Sequence, residues 1–291
     1  MKSTIVLTAA LLAVSATTLA EENSSTIYQS GIDNTAMADQ SDAYAHGNVI
    51  VQDQSDVHNN AIAVQISEFQ SHIYQTQSGA LNDTYTLQSG GYHNVSRTEQ
   101  SGYANSASTF QLQTQYSEAV IRQSGSHNHA EIYQVAGSGN IAVIQQTGSV
   151  HNAHIGQYAS IDSEAHIYQS GTGNYGNILQ GGSGNIASMT QSGSMNTASI
   201  EQGGVHNEAD IMQSGYGNHA YITQVSWYNH AVVTQDGMHN RADILQFGGG
   251  GHTAIVTQVG SMNNAWVSQY GLSETAIIHQ VGSGNTAIIS Q

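Results

Sequence analysis

The sequence predicts an all-β protein, a two-sheet β-solenoid of about twelve coils, and three observations predict it. Gln recurs at steps that are mostly eleven or twelve residues from Gln29 to Gln291, so the chain consists of short repeated units. Apolar and polar residues alternate with period two inside each unit, as they do in a strand with one buried face. Proline, which cannot donate to a β-ladder, is absent from all 291 residues.

Each unit reads Gln-x-Gly-x-x-Asn-x-Ala-x-Ile-x-Gln, and its second half is predicted to be a strand. Ala209, Ile211 and Gln213 share one face of such a strand, whereas Asp210 and Met212 share the other. The inward apolar position holds Ile, Val or Met in every unit from residue 121 onward. We therefore predict core residues at Ile178, Ile200, Ile211, Ile222, Val233, Ile244, Val256, Val267, Ile278 and Ile289.

The first half of the unit, typified by Gln213 to Asn218, is predicted to be a turn because Gly adopts positive φ without a Cβ clash. Strand and turn together form one arc. One arc buries a single Ile and a single Ala, which is too little to offset about 1–2 kcal/mol of backbone entropy per ordered residue. Two arcs make a coil of 22 or 23 residues, and each strand can pair with the strand one coil later.

This register stacks side-chain amides above one another inside the solenoid. An amide carries both a donor and an acceptor, so a column of amides can satisfy itself along the axis, as in cross-β structures. The predicted column members are Gln169, Gln191, Gln213 and Gln235 on one sheet and Gln180, Gln202, Gln224 and Gln246 on the other, and Gln258 is predicted to belong to the same ladder.

The first twenty residues predict a signal peptide, with Lys2, an apolar run from Ile5 to Val14 and a cleavage point before Glu21. We expect export and no membrane span. Residues 21–76 are expected to form degenerate repeats, including a fourteen-residue step from Gln40 to Gln54, and residues 77–291 regular ones.

The charge of the mature chain excludes one class of partner. Residues 21–291 carry three basic and twenty acidic residues, a net charge of −17, which argues against binding to nucleic acid. Cysteine is absent, so no disulfide staples the fold. No cofactor is predicted.

The repeat unit, preceded by a signal peptide, resembles the curlin repeat of curli fibre subunits. The resemblance implies a secreted bacterial biofilm protein that is exported through an outer-membrane pore and polymerises with itself at the cell surface, with the help of a nucleator subunit. The nucleator of that family has a divergent, basic last repeat, whereas residues 280–291 are regular and lack Lys and Arg. The major, fibre-forming role is therefore expected, with more repeats than the familiar five-coil subunits.

The resemblance also implies that Gln and Asn of the terminal repeats drive templated assembly. The matching residues are Gln29, Asn34 and Gln40 at one end and Gln269, Gln280, Asn285 and Gln291 at the other.

The sequence leaves several other functions to weigh. His58, His93, His127, His151, His206 and His239 each precede Asn in a turn, and we expect exposed histidines there rather than a metal site. The neutral Asn residues in the turns would bind calcium poorly, which argues against a calcium-binding β-roll. The outward residues are of mixed type, which argues against an ice-binding solenoid. Glu208 and Asp210 point outward and frame no cleft, so an enzyme is not expected. A non-polymerising adhesin remains the alternative, because capped ends would give a monomeric rod.

Overall fold

The computed structural model describes residues 22–291, so the predicted signal peptide lies outside the described residues. Within this range the chain forms 24 strands in two parallel twelve-stranded sheets. The odd-numbered strands form sheet A and the even-numbered strands form sheet B, so the chain crosses from one sheet to the other after every strand. The predicted two-sheet β-solenoid of about twelve coils is confirmed.

Sheet A contains β1 (Ser24–Gln29), β3 (Val49–Gln54), β5 (His72–Ala80), β7 (Val95–Tyr103), β9 (Glu118–Ser126), β11 (Ile141–Ser149), β13 (Glu164–Thr172), β15 (Ile186–Ser194), β17 (Glu208–Tyr216), β19 (His230–Met238), β21 (Thr253–Ser261) and β23 (Thr275–Ser283). Sheet B contains β2 (Thr35–Asp39), β4 (Asn60–Ile66), β6 (Asp83–Ser89), β8 (Ser106–Leu112), β10 (His129–Val135), β12 (Asn152–Ile161), β14 (Tyr175–Ser183), β16 (Thr197–Val205), β18 (His219–Trp227), β20 (Arg241–Gln246), β22 (Asn264–Gln269) and β24 (Thr286–Ser290). Residues 22–291 contain no helix that could span a membrane.

Each strand pairs with the strand one coil later, residue for residue of the repeat. In β15 and β17, Met189 pairs with Ile211 and Gln191 pairs with Gln213. The fourteen-residue step after Gln40 is absorbed in the corner between β2 and β3, so the strand register is unchanged there. Pairing also continues through residues 76 and 77, which both lie within β5. The division of the repeats at residue 76 stays a prediction.

The strands are longer than the sequence predicts. The expected turn from Gln213 to Asn218 is wrong for its middle part, because Ser214 to Tyr216 belong to β17 and pair with Asp236 to Met238. Gly215 has a φ of 102° and still lies within this pairing. The glycine bends the strand at the corner while the coil above holds the backbone in register.

The core lies between the two sheets. A cluster of buried Ala, Ile, Val and Met extends from Ala107 to Ile278. The predicted core residues lie in it, and Ile289 packs against it while only partly buried, because no coil covers the last strand. A second, smaller cluster consists of Ile50, Ala63 and Ile73. Between the two clusters the interior positions hold buried hydroxyl residues, namely Thr84, Thr86, Ser96 and Thr98.

Candidate functional site

Two columns of glutamine side chains run through the interior, one on each sheet. At every step the Nε2 of one Gln donates to the Oε1 of the Gln one coil later, at 2.6–3.2 Å. The column on sheet A contains Gln29, Gln54, Gln77, Gln100, Gln123, Gln146, Gln169, Gln191, Gln213, Gln235, Gln258 and Gln280. The column on sheet B contains Gln40, Gln65, Gln88, Gln111, Gln134, Gln157, Gln180, Gln202, Gln224, Gln246, Gln269 and Gln291.

The glutamines also connect the two sheets. The second hydrogen on Nε2 of Gln213, a sheet A residue, reaches the carbonyl of Thr197 in sheet B at 3.0 Å. Gln224 makes the reverse connection to the carbonyl of Glu208 at 2.9 Å. Each interior amide therefore uses both N–H donors and accepts a hydrogen bond at Oε1, which explains why a polar residue is tolerated in the core.

Two further columns stand at the corners where the chain passes between the sheets. At each step a backbone N–H donates to the side chain of the corner residue one coil earlier, as Asn218 N–H does to Asn196 Oδ1 at 3.0 Å. Asn218 Nδ2 then donates to the carbonyls of Ser214 and Gly237, at 2.8 and 3.0 Å. These asparagines fasten each corner to the next coil.

Corner column 1 follows sheet A strands, and corner column 2 follows sheet B strands. Column 1 contains Asn34, Asn59, Asn82, Asn105, Asn128, His151, Asn174, Asn196, Asn218, Asn240, Asn263 and Asn285. Column 2 contains Asn23, Asn48, Ser71, Asn94, Ser117, Asn140, Ser163, Asn185, Asn207, Asn229, His252 and Glu274.

Two histidines take the place of asparagine in these columns. His151 is 1% exposed and His252 is fully buried. The expectation of an exposed turn histidine is therefore wrong for His151, because the register assigns it, and not Asn152, to the corner position. Of the five other histidines that precede Asn, His93 is partly buried and His58, His127, His206 and His239 are exposed. Within residues 22–291 no three His, Asp or Glu side chains form a group that could hold a metal ion.

One buried carboxylate was not anticipated from the sequence. Glu68 is fully buried, and its oxygens accept hydrogen bonds from Ser71 Oγ at 2.7 Å and Gly91 N–H at 2.9 Å. Burial raises the pKa of Glu68, and the hydrogen bonds from Ser71, Gly91 and Asn94 oppose that rise. Its only sequence signal is a charged residue at a corner position that holds Gly, Thr or Ser in the next coils.

The outer carboxylates lie as predicted on the exterior of β17. Glu208 is exposed and Asp210 is partly buried. The partial burial raises the pKa of Asp210, and a hydrogen bond from Ser188 opposes the rise.

Both ends of the described rod terminate the columns in complementary groups. At the C-terminal end, Gln280 Nε2 donates to the carbonyl of Asn264, and its second hydrogen has no partner. At the opposite end, Gln29 Oε1 accepts no hydrogen bond from any described residue, whereas Gln40 Oε1 accepts one from Ser25 Oγ at 2.7 Å. Asn285 is exposed at the last step of corner column 1.

The model of the curlin-associated repeat matches this chain three times, at residues 117–148, 162–193 and 193–225. Within these ranges the chain contains curlin-associated repeats. The matched residues begin immediately before β9 and end in β18, in the middle of the rod. The same four columns continue through the coils before and after them, so the curlin geometry extends beyond the matched residues. No curated protein matches the chain.

Proposed function

We propose that this curlin-repeat protein is the structural subunit of a curli-like extracellular amyloid fibre at a bacterial cell surface, in which copies stack end to end. The observation that carries the proposal is the direction of the columns. Gln columns end in free N–H donors at the C-terminal end and begin with Oε1 acceptors at the N-terminal end. The C-terminal end of one copy therefore complements the N-terminal end of the next.

The repeat register specifies the junction. A second copy that continues the sheets would place its β1 on β23 and its β2 on β24. Gln280 would then donate to Gln29 and Gln291 to Gln40, and Asn285 Oδ1 would accept the N–H of Asn34. Each of these contacts repeats one that already exists at every internal step.

The last coil also exposes apolar surface that this junction would cover. Ile289 and Ala287 are only partly buried because nothing lies above them. Stacking would bury both against Ala38 and Ala36 of the next copy, and burial of apolar surface favours association by about 25 cal/mol per Å². A non-polymerising adhesin would need a cap on this end, and among the described residues no strand pairs with the outer edge of β24.

The remaining features of the proposal rest on family resemblance. They are a major-subunit role, removal of residues 1–20 on secretion, export through an outer-membrane pore, and a separate nucleator subunit. The curlin repeat is a structural repeat, which supports a non-enzymatic role.

The test uses the mature chain diluted from denaturant and followed by thioflavin fluorescence and fibre diffraction. We expect a lag, then growth, and a reflection near about 4.8 Å from the strand spacing along the axis. A persistent soluble monomer would overturn the proposal.

A pair of proline substitutions tests the growing end. The N–H groups of Thr253 and Asn264 donate toward the following coil, whereas that of Gln291 donates to the preceding one. Because N–H direction alternates along a strand, Ile277 and Ile288 direct theirs outward at the C-terminal end. Changing both to Pro removes two outward donors and no internal ones, so the rod should fold but extend poorly.

The matched control changes both residues to Thr, which keeps the N–H groups and removes the same apolar side chains. We expect the Thr control to extend parent seeds at close to the parent rate. Equal growth of the Pro and Thr variants would show that the C-terminal edge is not the growing surface.

A further inference from the structure

His151 performs the hydrogen-bonding role of an asparagine inside corner column 1. Its backbone N–H donates to Asn128 Oδ1 at 3.1 Å, as the repeat requires. Its Nδ1 lies 3.2 Å from the backbone N of Asn174 and accepts that N–H. Its Nε2 lies 3.2 Å from the carbonyl of Thr147 and donates to it. Both ring nitrogens are therefore used, one as acceptor and one as donor.

This arrangement is possible only for a neutral ring. Nδ1 must keep its lone pair to accept the Asn174 N–H, and Nε2 must carry the single proton. A proton on Nδ1 would oppose the Asn174 N–H with a second donor and place a charge in a buried corner. Asparagine at the same position cannot be protonated in this way.

Among the described residues, no charged or titratable group near the His151 ring would offset a positive charge on it. His127 and His129 flank Asn128 on the coil below, and His129 lies 3.2 Å from Glu131 on the outer face. Tyr175 follows Asn174 on the coil above and is exposed. Among residues 22–291 no carboxylate pairs with His151. Burial lowers the pKa of His151 below the ordinary 6.5, although hydrogen bonds to the backbone of Thr147 and Gly171 oppose this.

His252 is the matched case in corner column 2. It bonds to its neighbours in the same way, through Nδ1 to the N–H of Glu274 at 3.3 Å and through Nε2 to the carbonyl of Phe247 at 3.0 Å. Here, however, Glu274 Oε2 lies 3.5 Å from Nδ1 and has no hydrogen-bond partner. His252 therefore has a carboxylate oxygen beside its ring, and His151 has none among the described residues.

We propose that His151 is an acid-sensitive joint in the rod. The stabilising contribution of neutral His151 is present above pH 6.5. It is lost as the pH falls from there through the lower pKa of the folded state. Acid should therefore loosen the coils joined by His151 and Asn174 while the remaining coils stay paired, because each coil contacts only its neighbours.

Amide hydrogen exchange tests this locally, at the N–H of Asn174 in the full mature chain. If His151 stays neutral in the folded rod, protection of this amide falls between pH 8 and pH 4.5 by up to about 100-fold, the factor set by an unfolded pKa of 6.5. The variant His151→Asn restores the asparagine of the repeat and should abolish the acid-induced loss of protection at Asn174. His127→Asn, an exposed control one coil below, should leave it unchanged.

The position of the proton on the His151 ring is a second test. The ¹⁵N chemical shifts of His151 at pH 7 should show a proton on Nε2 and none on Nδ1. A proton on Nδ1, or the same acid response in the parent chain and His151→Asn, would overturn the proposal.

Discussion

Replacement of a single glycine by alanine should have opposite effects at two positions one arc apart. Gly215 has a φ of 102°, and a Cβ built there would lie 2.0 Å from the carbonyl oxygen of Gly237 in the coil above. Gly203 lies in β16 without a positive φ, and a Cβ there would meet no atom within 4 Å. The two substitutions add the same methyl group to the same kind of strand.

The geometry gives the expected size of each effect. Gly215→Ala would force the two coils apart by roughly 1 Å, costing about 1–3 kcal/mol of backbone strain. It would also weaken two or three hydrogen bonds worth about 1 kcal/mol each. We expect a loss of about 3–5 kcal/mol. Gly203→Ala should instead stabilise the chain by about 0.4–1 kcal/mol, because it restricts only the unfolded chain.

Urea unfolding at a concentration too low for fibre growth measures both variants, with circular dichroism as the signal. The Gly215→Ala transition should move to lower urea and the Gly203→Ala transition to the same or slightly higher urea. A difference below about 1 kcal/mol between the two variants would refute the claim that close axial contact, and not glycine flexibility in general, requires Gly215.

Three other tests concern the interior. Ile211→Asp places an unpaired charge in the core and should prevent folding of the coil, whereas Met212→Asp on the outer face should cost less than about 1 kcal/mol of stability. Equal losses of stability in urea unfolding would contradict the inward position of Ile211. Changing Gln213 and Gln235 to Leu removes their hydrogen bonds to the carbonyls of Thr197 and His219 and takes one partner each from Gln191 and Gln258, so we expect a loss of at least about 2 kcal/mol. Unchanged stability would show that the column is dispensable. Thr98→Val replaces a buried hydroxyl that has no hydrogen-bond partner among the described residues by a methyl of equal size, and it should stabilise the chain by about 1–3 kcal/mol. A lower urea midpoint than that of the parent chain would contradict this prediction.

The sequence predicts the fold because each interior position holds the same kind of residue in most coils. A strand of a solenoid is buried on one face only, so period-two alternation identifies that face directly, as it does for Ala209, Ile211 and Gln213. Recurrence every eleven or twelve residues then specifies which strands pair. No knowledge of long-range contacts is needed for this prediction beyond the repeat itself.

The features that the sequence does not predict depend on the neighbouring coil. Ser214 to Tyr216 look like part of a turn because Gly215 breaks the pattern, yet they are held in β17 by pairing with β19. His151 looks like a turn residue because Asn152 follows it, yet the corner bonds to Asn128 and Asn174 fix its role.

The even number of strands has a geometric consequence for any stack of copies. The described chain begins on sheet A and ends on sheet B, with twelve strands in each. The next copy can therefore start on sheet A at the same azimuth, with no half-turn between copies. The face that carries Phe110 stacked on Tyr133 would then lie on one side along the whole length of the stack. Loss of a single arc would rotate alternate copies by about half a turn, so that the Phe110 and Tyr133 face would lie on opposite sides of the stack in successive copies. Loss of two arcs would only shorten the length of each copy along the stack.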